Sequence, residues 1–469
     1  MMYHTRWQVG CLLWLALFTG ASAQDKADAP AVPEPPVYQH DAPAVAAPDQ
    51  AGPTMTPDTR PLTGAQTLTL GRPDLPSFFL PKLHFAQTVD SNPNVFVPDS
   101  DVGTVSSITG EFELQRVSRS QLFTMRYQGG GMFNANGSNV AILGGRSSNF
   151  QLFGLTERLD FRRWSLFFSD QVGYTSSSAF GGGANAAAAV IGPAALAGGA
   201  NLAGLNPTLV PAQNLLTQVG SQVSNTAVVE TDYHLDAHST VTVIGNYGIL
   251  RSPDGNLIES NQEGGSVGYS RNLTARDTVG ISYGFTQYGY LDLHTRTRNH
   301  VAQLAYGRRV TGRLSLQLGG GGGISEVDTA VQSQDLTLWN AQANLHYLAH
   351  RMDFTAAYAR NVTAGSGVQP GANSDVVSGG FSRPFLRRWL TTTSVGYSHN
   401  SGLINGSSYS TFFANTGVER QLGLYSGVFA SYSFQRQAGL LFCPTCGDQS
   451  IRHLFTVGFD WGFRPIRME

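Results

Sequence analysis

The sequence predicts an all-β protein, a transmembrane up-and-down antiparallel β-barrel of about 18 strands. Three observations support this fold. From about residue 83 onward, segments of roughly 10 to 14 residues alternate apolar with small or polar side chains, which is the period of a strand with one apolar face. Short and long connections alternate between these segments. Only 13% of the 469 residues are charged, against roughly 25% in soluble domains.

The first 23 residues have the pattern of a secretory signal peptide. Arg6 supplies a positive charge, Val9–Phe18 form an apolar core, and residues 21–23 (Ala-Ser-Ala) form a cleavage site. We therefore expect residues 1–23 to be removed during export.

Residues 24–81 are predicted to form a disordered periplasmic linker. They hold 12 of the 22 prolines, among Ala, Asp and Gln, a composition that cannot bury a core and favours extended segments. Two interpretations remain open for this segment. It is either a plain spacer or a segment that contacts peptidoglycan or a periplasmic protein.

The alternation is clearest in the last segment of the chain. One parity is apolar except for one histidine, and the other is mostly polar or glycine: Ile451, His453, Phe455, Val457, Phe459, Trp461 and Phe463 against Arg452, Leu454, Thr456, Gly458, Asp460 and Gly462. The same split recurs in segments 123–128, 279–286 and 427–434. A soluble sandwich alternates too, so the connections have to decide between the two folds.

The connections favour an outer-membrane barrel, in which periplasmic turns are short and external loops are long. Short turns are predicted near 118–120, 161–163, 236–239, 274–277, 310–313, 349–352, 386–389 and 422–424. Longer connections are predicted near 90–101, 134–147, 177–220, 252–257, 326–333, 364–372, 401–407 and 439–449. We count 18 strands, with 16 as the alternative because the segments at Leu83 and Glu259 are weakest. The barrel is predicted over 82–463 and a periplasmic tail over 464–469.

Composition excludes other classes of partner and fold. Beyond the N-terminus no stretch approaches the ~18 to 20 apolar residues of a membrane helix. The net charge is −2 and only two of the 30 basic residues are lysines, Lys26 and Lys82, so nucleic acid is not a predicted partner. Membrane lipid is the predicted partner, and the location is the outer membrane of a Gram-negative-type bacterium. No cofactor is predicted.

The inward parity supplies candidates for a pore wall, because a barrel of roughly 16 to 18 strands encloses an aqueous channel. The candidate pore-lining residues are Glu111, Glu113, Arg126, Glu230, Asp232, His234, Glu419, Arg452 and Asp460. Their mixed signs argue against a strong ion preference. No His, Cys, Asp or Glu cluster has the spacing of a metal site.

Thr456–Phe463 resembles the terminal recognition strand of bacterial outer-membrane proteins, with a polar residue, a glycine and two aromatic positions. The resemblance implies that the barrel-assembly machinery reads Thr456, Gly458, Trp461 and Phe463. The chain departs from that pattern by continuing through Arg464–Glu469.

Thr88–Phe96 (TVDSNPNVF) resembles the opening of the β-barrel porin family that is often associated with exopolysaccharide export. In that family an acidic, Asn-rich loop follows the first strand. The resemblance implies a channel or an export conduit for polysaccharide, and it identifies no catalytic residues.

Two short motifs are interpreted structurally. Cys443 and Cys446 have the spacing of a redox motif, but they fall in the last external loop, where a disulfide that closes the hairpin is favoured over metal or redox chemistry. Gly319–Gly323 is not followed by the Lys and Ser or Thr of a phosphate loop, and small residues in a strand explain it better.

His399 and Ser401 form the one enzyme-like pair. Two residues apart on a strand, they project to the same side, and the spacing resembles the His-x-Ser pattern of outer-membrane phospholipases and lipid A deacylases. The Asn that usually follows the Ser is absent. We therefore predict that the protein is not an enzyme, and lipid hydrolysis by this pair is the second alternative.

The predicted function is passive passage of small hydrophilic solutes or of a polysaccharide chain, and a closed structural or adhesion barrel is the first alternative. One long connection bears on this choice. Gln171 to Val229 contain no Asp, Glu, Lys or Arg, so residues 180–215 are hypothesised to fold into the lumen and narrow it. A flexible external loop or a patch buried against another subunit are the other interpretations.

Overall fold

Eighteen antiparallel strands close into a barrel in the computed structural model, which describes residues 77–91, 102–118, 120–134, 147–175, 221–253, 255, 258–349, 352–365, 369–385, 388–404, 406–423, 425–439 and 449–467. The strands are β1 (Phe78–Asp90), β2 (Gly103–Val117), β3 (Gln121–Asn134), β4 (Ser147–Asp160), β5 (Trp164–Thr175), β6 (Gln222–His234), β7 (Ser239–Arg251), β8 (Ser260–Asn272), β9 (Asp277–Tyr290), β10 (Thr295–Arg309), β11 (Leu314–Asp328), β12 (Ser333–Ala349), β13 (Met352–Thr363), β14 (Ala372–Pro384), β15 (Trp389–Gly402), β16 (Ser408–Gln421), β17 (Ser426–Ala438), β18 (Gln449–Gly462) and the short β19 (Ile466–Arg467).

Each of the strands β1 to β18 pairs with its neighbours in the chain, and β1 pairs with β18 to close the sheet. The closing ladder runs from Lys82 opposite Gly462 to Asp90 opposite Leu454. Closure leaves no open sheet edge except at the external end of β12, where residues 333–340 pair only with β11. Elsewhere the wall satisfies its own backbone hydrogen bonds, as a membrane requires. The predicted barrel of 18 strands is confirmed.

The two ends of the barrel extend beyond the predicted limits of 82 and 463. β1 begins at Phe78 because Phe78 and Phe79 pair with β2 on one side and with β19 on the other. Pro81 has no N–H to donate, but it remains in the strand, and its carbonyl accepts the N–H of Phe463 at 3.0 Å. The segment predicted as a tail therefore contributes two residues to the sheet.

The external connections are less uniform than predicted. The connection between β9 and β10 is residues 291–294, and the one between β11 and β12 is residues 329–332. Both are as short as the periplasmic turn 310–313, so the strict alternation of short and long connections is wrong at this part of the rim. His294 adopts a left-handed backbone conformation, φ 50°, which allows the chain to reverse within so few residues.

The periplasmic turns are held by local hydrogen bonds. Asp236 Oδ1 accepts the backbone N–H of His238 at 2.7 Å, and this bond lowers the pKa of the Asp236 carboxyl. Thr274 Oγ1 accepts the N–H of Asp277 in the next periplasmic turn. Side chains that bond to nearby backbone in this way stabilise tight turns.

The outer and inner faces differ as the alternation predicts. Large apolar side chains are exposed on the outer face, among them Leu304 at 66% and Ile281 at 55%. Hydroxyl and amide side chains are buried on the inner face, among them Thr109 and Ser325 at 0%. None of the residues described here forms a helix that is long and apolar enough to span a membrane.

Several predictions fall outside the described residues. These are the signal peptide 1–23, the linker over 24–76, the pair Cys443 and Cys446, and the uncharged segment 180–215.

Candidate functional site: the lumen wall

The inner face can be traced around the barrel because residues that oppose each other on neighbouring strands lie on the same face. His84 opposes Thr109 on one side and Asp460 on the other. Glu113 opposes Arg126. By this register all nine candidate pore-lining residues lie on the inner face: Glu111, Glu113, Arg126, Glu230, Asp232, His234, Glu419, Arg452 and Asp460. That they line a conducting pore stays a prediction.

The structure brings two of the candidates, Glu111 and Asp460, together around His84. His84 Nδ1 lies 2.6 Å from Asp460 Oδ1, and His84 Nε2 lies 3.2 Å from Glu111 Oε2. Lys82 Nζ lies 3.5 Å from the other oxygen of Glu111. A carboxylate only accepts hydrogen bonds, so this geometry is that of an imidazolium whose two nitrogens both donate. Two cations and two anions are thus gathered on β18, β1 and β2.

A second ion pair lies on the same closing ladder, nearer the external end. Arg452 Nε lies 2.9 Å from both oxygens of Asp90, and Arg452 Nη2 also contacts Asp90 Oδ2. Between the two ion-pair groups, Thr88 Oγ1 and Thr456 Oγ1 are 2.9 Å apart. The first and last strands are therefore joined by three inward side-chain contacts as well as by their backbone ladder.

The charged arc continues over β2 to β6. Arg126 Nη2 lies 3.3 Å from Glu113 Oε2, with the arginine side chain 51% exposed and the glutamate 5% exposed. Asp232 accepts hydrogen bonds from Ser165 Oγ at 3.1 Å and from Thr242 Oγ1 at 2.6 Å. Glu230, two residues earlier on β6, is buried. The arginine head is thus directed to open space while its acidic neighbours are held in the wall.

The remaining two candidates lie at the periplasmic end. His234 is the last residue of β6, is exposed, and lies 3.1 Å from Thr240 Oγ1 through Nδ1. Glu419 faces inward near the end of β16, opposite Phe429. Neither belongs to the cluster around His84.

The opposite arc of the wall, β7 to β15, is polar but almost uncharged. Among its described inward side chains, the Asp, Glu, Lys, Arg and His residues are Arg309, His346 and Asp353, all near the periplasmic turns. The others are mainly hydroxyl, amide and glycine, including Thr242, Asn246, Gln262, Thr286, Asn299, Gln303, Gln317, Ser325, Asn340, Gln342, Asn361, Ser374, Ser398 and Asn400. Charge is therefore concentrated on one side of the lumen.

The glycine run on β11 serves close strand packing within this neutral arc. Gly319, Gly321 and Gly323 face inward. A Cβ on Gly321 would lie 1.8 Å from the carbonyl oxygen of Ala302 on β10, so no larger residue fits there. The expectation that small residues in a strand explain the run agrees with this geometry.

The external end of β13 bends into the lumen, a feature that the sequence did not predict. The β12–β13 ladder ends at Ala341 opposite Arg360, and the next residues pair only with β14. Val362 and Ala364 are buried against Tyr288 and Tyr290 of β9. Tyr288 Oη donates to the Val362 carbonyl at 3.3 Å, and Tyr290 Oη donates to the Ala364 carbonyl at 3.2 Å. This inward tip crosses from β13 to a strand four positions away.

The C-terminal strand presents its two aromatic signal residues to the outside. Trp461 and Phe463 are stacked with ring centroids 5.2 Å apart. Thr456 and Gly458 face inward, and a Cβ on Gly458 would lie 2.3 Å from the ring of Phe429. Gly458 therefore has a packing role, whatever the assembly machinery reads.

His399 and Ser401 both lie on the outer face of β15. No hydrogen bond joins them within the part of the chain that the structure describes. Asp375 opposes His399 in the register, but its carboxylate accepts from Arg360 Nη1 at 2.7 Å and from Tyr358 Oη at 2.9 Å. The chain of hydrogen bonds that activates a serine nucleophile is thus not formed among these residues.

Lys82, His84 and Asp90 are the site residues that sequence reasoning missed. They share the inward parity of β1, and the alternation in KLHFAQTVD could have found them. No group of three or more His, Cys, Asp or Glu side chains has the arrangement of a metal site within the described strands and turns.

The closed sheet, the apolar outer face and the polar inner face together identify an outer-membrane β-barrel, because only closed barrels and helices can span a bilayer. The outer face contacts membrane lipid. The protein is thus located in the outer membrane of a Gram-negative-type bacterium.

The chain is similar to solved structures at low sequence identity. OccAB3 of Acinetobacter baumannii is 11% identical, with a TM-score of 0.43 over 82% of this chain and 99% of that chain. The outer membrane protein OpdK from Pseudomonas aeruginosa is 10% identical, with a TM-score of 0.41 over 82% and 99%. OccK9 (OpdG) of Pseudomonas aeruginosa is 8% identical, with a TM-score of 0.43 over 83% and 98%. No protein-family model matches the sequence, and no curated protein matches it either.

Proposed function

We propose that the barrel is a passive channel for small hydrophilic solutes, with a preference for neutral, hydroxyl-rich ones, an extended polysaccharide chain included. The observation that carries this proposal is the neutral arc of the lumen wall, β7 to β15. Amide and hydroxyl groups there offer both donors and acceptors, and they match the hydroxyl groups of a sugar without binding it as tightly as a charged site would.

The charged arc supports the same function. Lys82, His84, Glu111 and Asp460 neutralise one another, and so do Asp90 and Arg452. A wall whose charges are paired attracts neither cations nor anions strongly. The proposal therefore includes weak ion selectivity.

Single-channel recording in planar bilayers tests the proposal, together with liposome swelling in neutral oligosaccharides of increasing size. We expect stepwise conductance and swelling rates that fall with solute size. A protein that inserts and produces neither would be the closed structural or adhesion barrel. Deleting residues 180–215 tests whether that uncharged segment narrows the lumen, since the deletion would then raise conductance.

Two further roles belong to this proposal. The barrel-assembly machinery reads Thr456, Gly458, Trp461 and Phe463. The part of the predicted linker 24–81 that precedes β1 contacts peptidoglycan or a periplasmic protein. No covalent chemistry is proposed. Purified protein should release no fatty acid from phospholipid or lipid A, and Ser401→Ala should behave as the wild type.

A further inference from the structure

The lipid-facing side of the wall carries a polar pair at mid-depth. Asp170 on β5 and Asn225 on β6 both face outward, and Asn225 Nδ2 donates to Asp170 Oδ1 at 2.7 Å. Asp170 is the sixth residue from the external end of β5 and the seventh from its periplasmic end. On the described strands, every other outward Asp, Glu or Arg lies within four residues of a strand end. Asp170 therefore lies where hydrocarbon would surround it.

A carboxylate in hydrocarbon is unfavourable, because no water solvates it. Within the described strands and turns, the Asn225 amide donates to one of the two Asp170 oxygens, Oδ1. The apolar residues beside it on β5, Phe168 and Val172, show that the position belongs to the apolar belt. A polar neighbour from outside the chain would remove the cost.

The surface near Asp170 carries several small residues beside one tyrosine. Ala227 opposes Asp170 and is itself opposed by Tyr247 on β7, while Gly245 and Gly265 face outward on β7 and β8, two residues nearer the periplasmic end. A Cβ on Gly245 would meet nothing within 4 Å. Small residues let a second protein approach the backbone closely inside a membrane, so this area fits a protein neighbour better than acyl chains.

The same barrel carries a complementary group at similar depth. Tyr283 Oη and His300 Nδ1 are 2.7 Å apart on the outer face of β9 and β10. His300 is the sixth residue from the external end of β10, as Asp170 is on β5. The other ring nitrogen, Nε2, has no partner within the described chain. It can donate to a carboxylate when protonated there.

The separation of the two groups agrees with a closed ring of copies. In a round barrel of 18 strands, neighbouring strands are about 20° apart around the axis, so the pair on β5–β6 and the pair on β9–β10 are about 80° apart. A closed ring requires about 60° between the two contact directions for three copies and about 90° for four.

We propose that the barrel associates with further copies of itself in the membrane, with Asp170 and Asn225 of one copy against Tyr283 and His300 of the next, in a ring of three or four. The contact is heterologous, because the two surfaces are different parts of the chain. In this contact the Asp170 carboxylate accepts hydrogen bonds from the neighbouring copy and is no longer exposed to the acyl chains of the lipid.

Cysteine crosslinking in native membranes tests the contact. In a Cys443→Ser and Cys446→Ser background, Ala227→Cys beside Asp170 is combined with Ala302→Cys beside Tyr283. We expect an oxidant to produce a ladder of covalent oligomers that ends at three or four chains. Each single variant should stay monomeric. Ala227→Cys combined with Ala414→Cys, an outward alanine of β16, is the matched control and should also stay monomeric.

Charge substitutions test the chemistry. Asp170→Asn and His300→Phe should each lower the temperature at which the oligomer dissociates in mild detergent, while the heat-induced unfolding of the barrel itself is unchanged. Asp375→Asn, an outward aspartate near a strand end, should leave the oligomer as it is. The proposal would be overturned if the wild-type protein were monomeric in mild detergent, both after extraction with its bound lipid and after that lipid is removed. Crosslinking by Ala227→Cys alone would overturn it too.

Discussion

Asp90 and Arg452 are 362 residues apart in the chain and face each other across the line where the barrel closes. Both side chains are buried, at 1% and 8% exposure, and the arginine Nε is 2.9 Å from each carboxylate oxygen. Such a pair fixes one register of β1 against β18, since a slip of one residue would turn every side chain of the strand to the other face.

Breaking this pair should weaken closure. Asp90→Asn and Arg452→Gln each leave a buried charge without its counter-ion, which costs about 3–5 kcal/mol when a buried pair loses one member. We expect the barrel to unfold in SDS at a lower temperature in both variants. The measurement is the temperature at which heating changes its mobility on an SDS gel. The charge-swapped double variant, Asp90→Arg with Arg452→Asp, should recover part of the loss. Equal instability in the swap and the single variants would contradict the pairing.

Substitution of Gly458 distinguishes a packing role of this glycine from recognition by the assembly machinery. Gly458→Ala should slow folding because the new methyl group overlaps the Phe429 ring, and overpacking costs about 1–3 kcal/mol. Combining it with Phe429→Ala should restore only part of the yield of folded barrel in the membrane, because the new methyl group would still lie 2.8 Å from the backbone oxygen of Phe85. If the double variant remains as defective as Gly458→Ala, overlap with the Phe429 ring is not the cause of the defect.

The inward tip of β13 should reduce fluctuations of the current through the lumen. Tyr288→Phe with Tyr290→Phe keeps both rings but removes two buried hydrogen bonds, each worth about 0.5–1.5 kcal/mol. We expect more current fluctuation between sublevels in single-channel records and an unchanged barrel melting. Tyr247→Phe, on the outer face of β7, serves as the control. Quiet records in the double variant would show that the tip stays in place without these bonds.

Arg126 should contribute to ion selectivity because its guanidinium is half exposed on the inner face. Arg126→Gln should shift the permeability ratio toward cations by about twofold at low salt, and less at high salt because mobile ions screen the wall. The zero-current potential in a KCl gradient measures the shift. Arg298→Gln changes an arginine on the outer face and should not move the potential.

Cys443 and Cys446 are predicted to form a disulfide in an external loop. Native protein should resist alkylation at both positions until it is reduced, and replacing both residues by serine should leave assembly intact. Labelling of unreduced protein would contradict the disulfide.

The sequence predicted what depends on local alternation and missed what depends on distant strands. The inward side of Glu111, Asp232 and Asp460 follows from a period of two residues within each strand. The contact of His84 with Asp460 spans 376 residues, and it exists only because the first and last strands meet.

Two further features lay outside the reach of local pattern. The inward bend of β13 depends on where its hydrogen-bonded ladder with β12 ends. The sequence of β13 contains no residue that indicates this position. The tight outer turn ending at His294 lacks the glycine or asparagine that usually marks such a turn. Both are consequences of how neighbouring strands end, which periodicity within one strand does not encode.

The closing ladder between β1 and β18 also determines when the barrel can close during biogenesis. β1 is among the first parts of the barrel to be synthesised, and β18 is almost the last. An exported chain thus carries an unpaired first strand until its final segment has crossed the inner membrane. During that interval the mainly apolar outer face of the wall has no bilayer around it, and the edge of β1 that will meet β18 is unpaired. Exposed apolar surface and unpaired strand edges both promote aggregation. The chain then depends on periplasmic chaperones that bind it and prevent aggregation. A chain truncated before residue 449 lacks β18, so β1 has no partner with which to close the barrel.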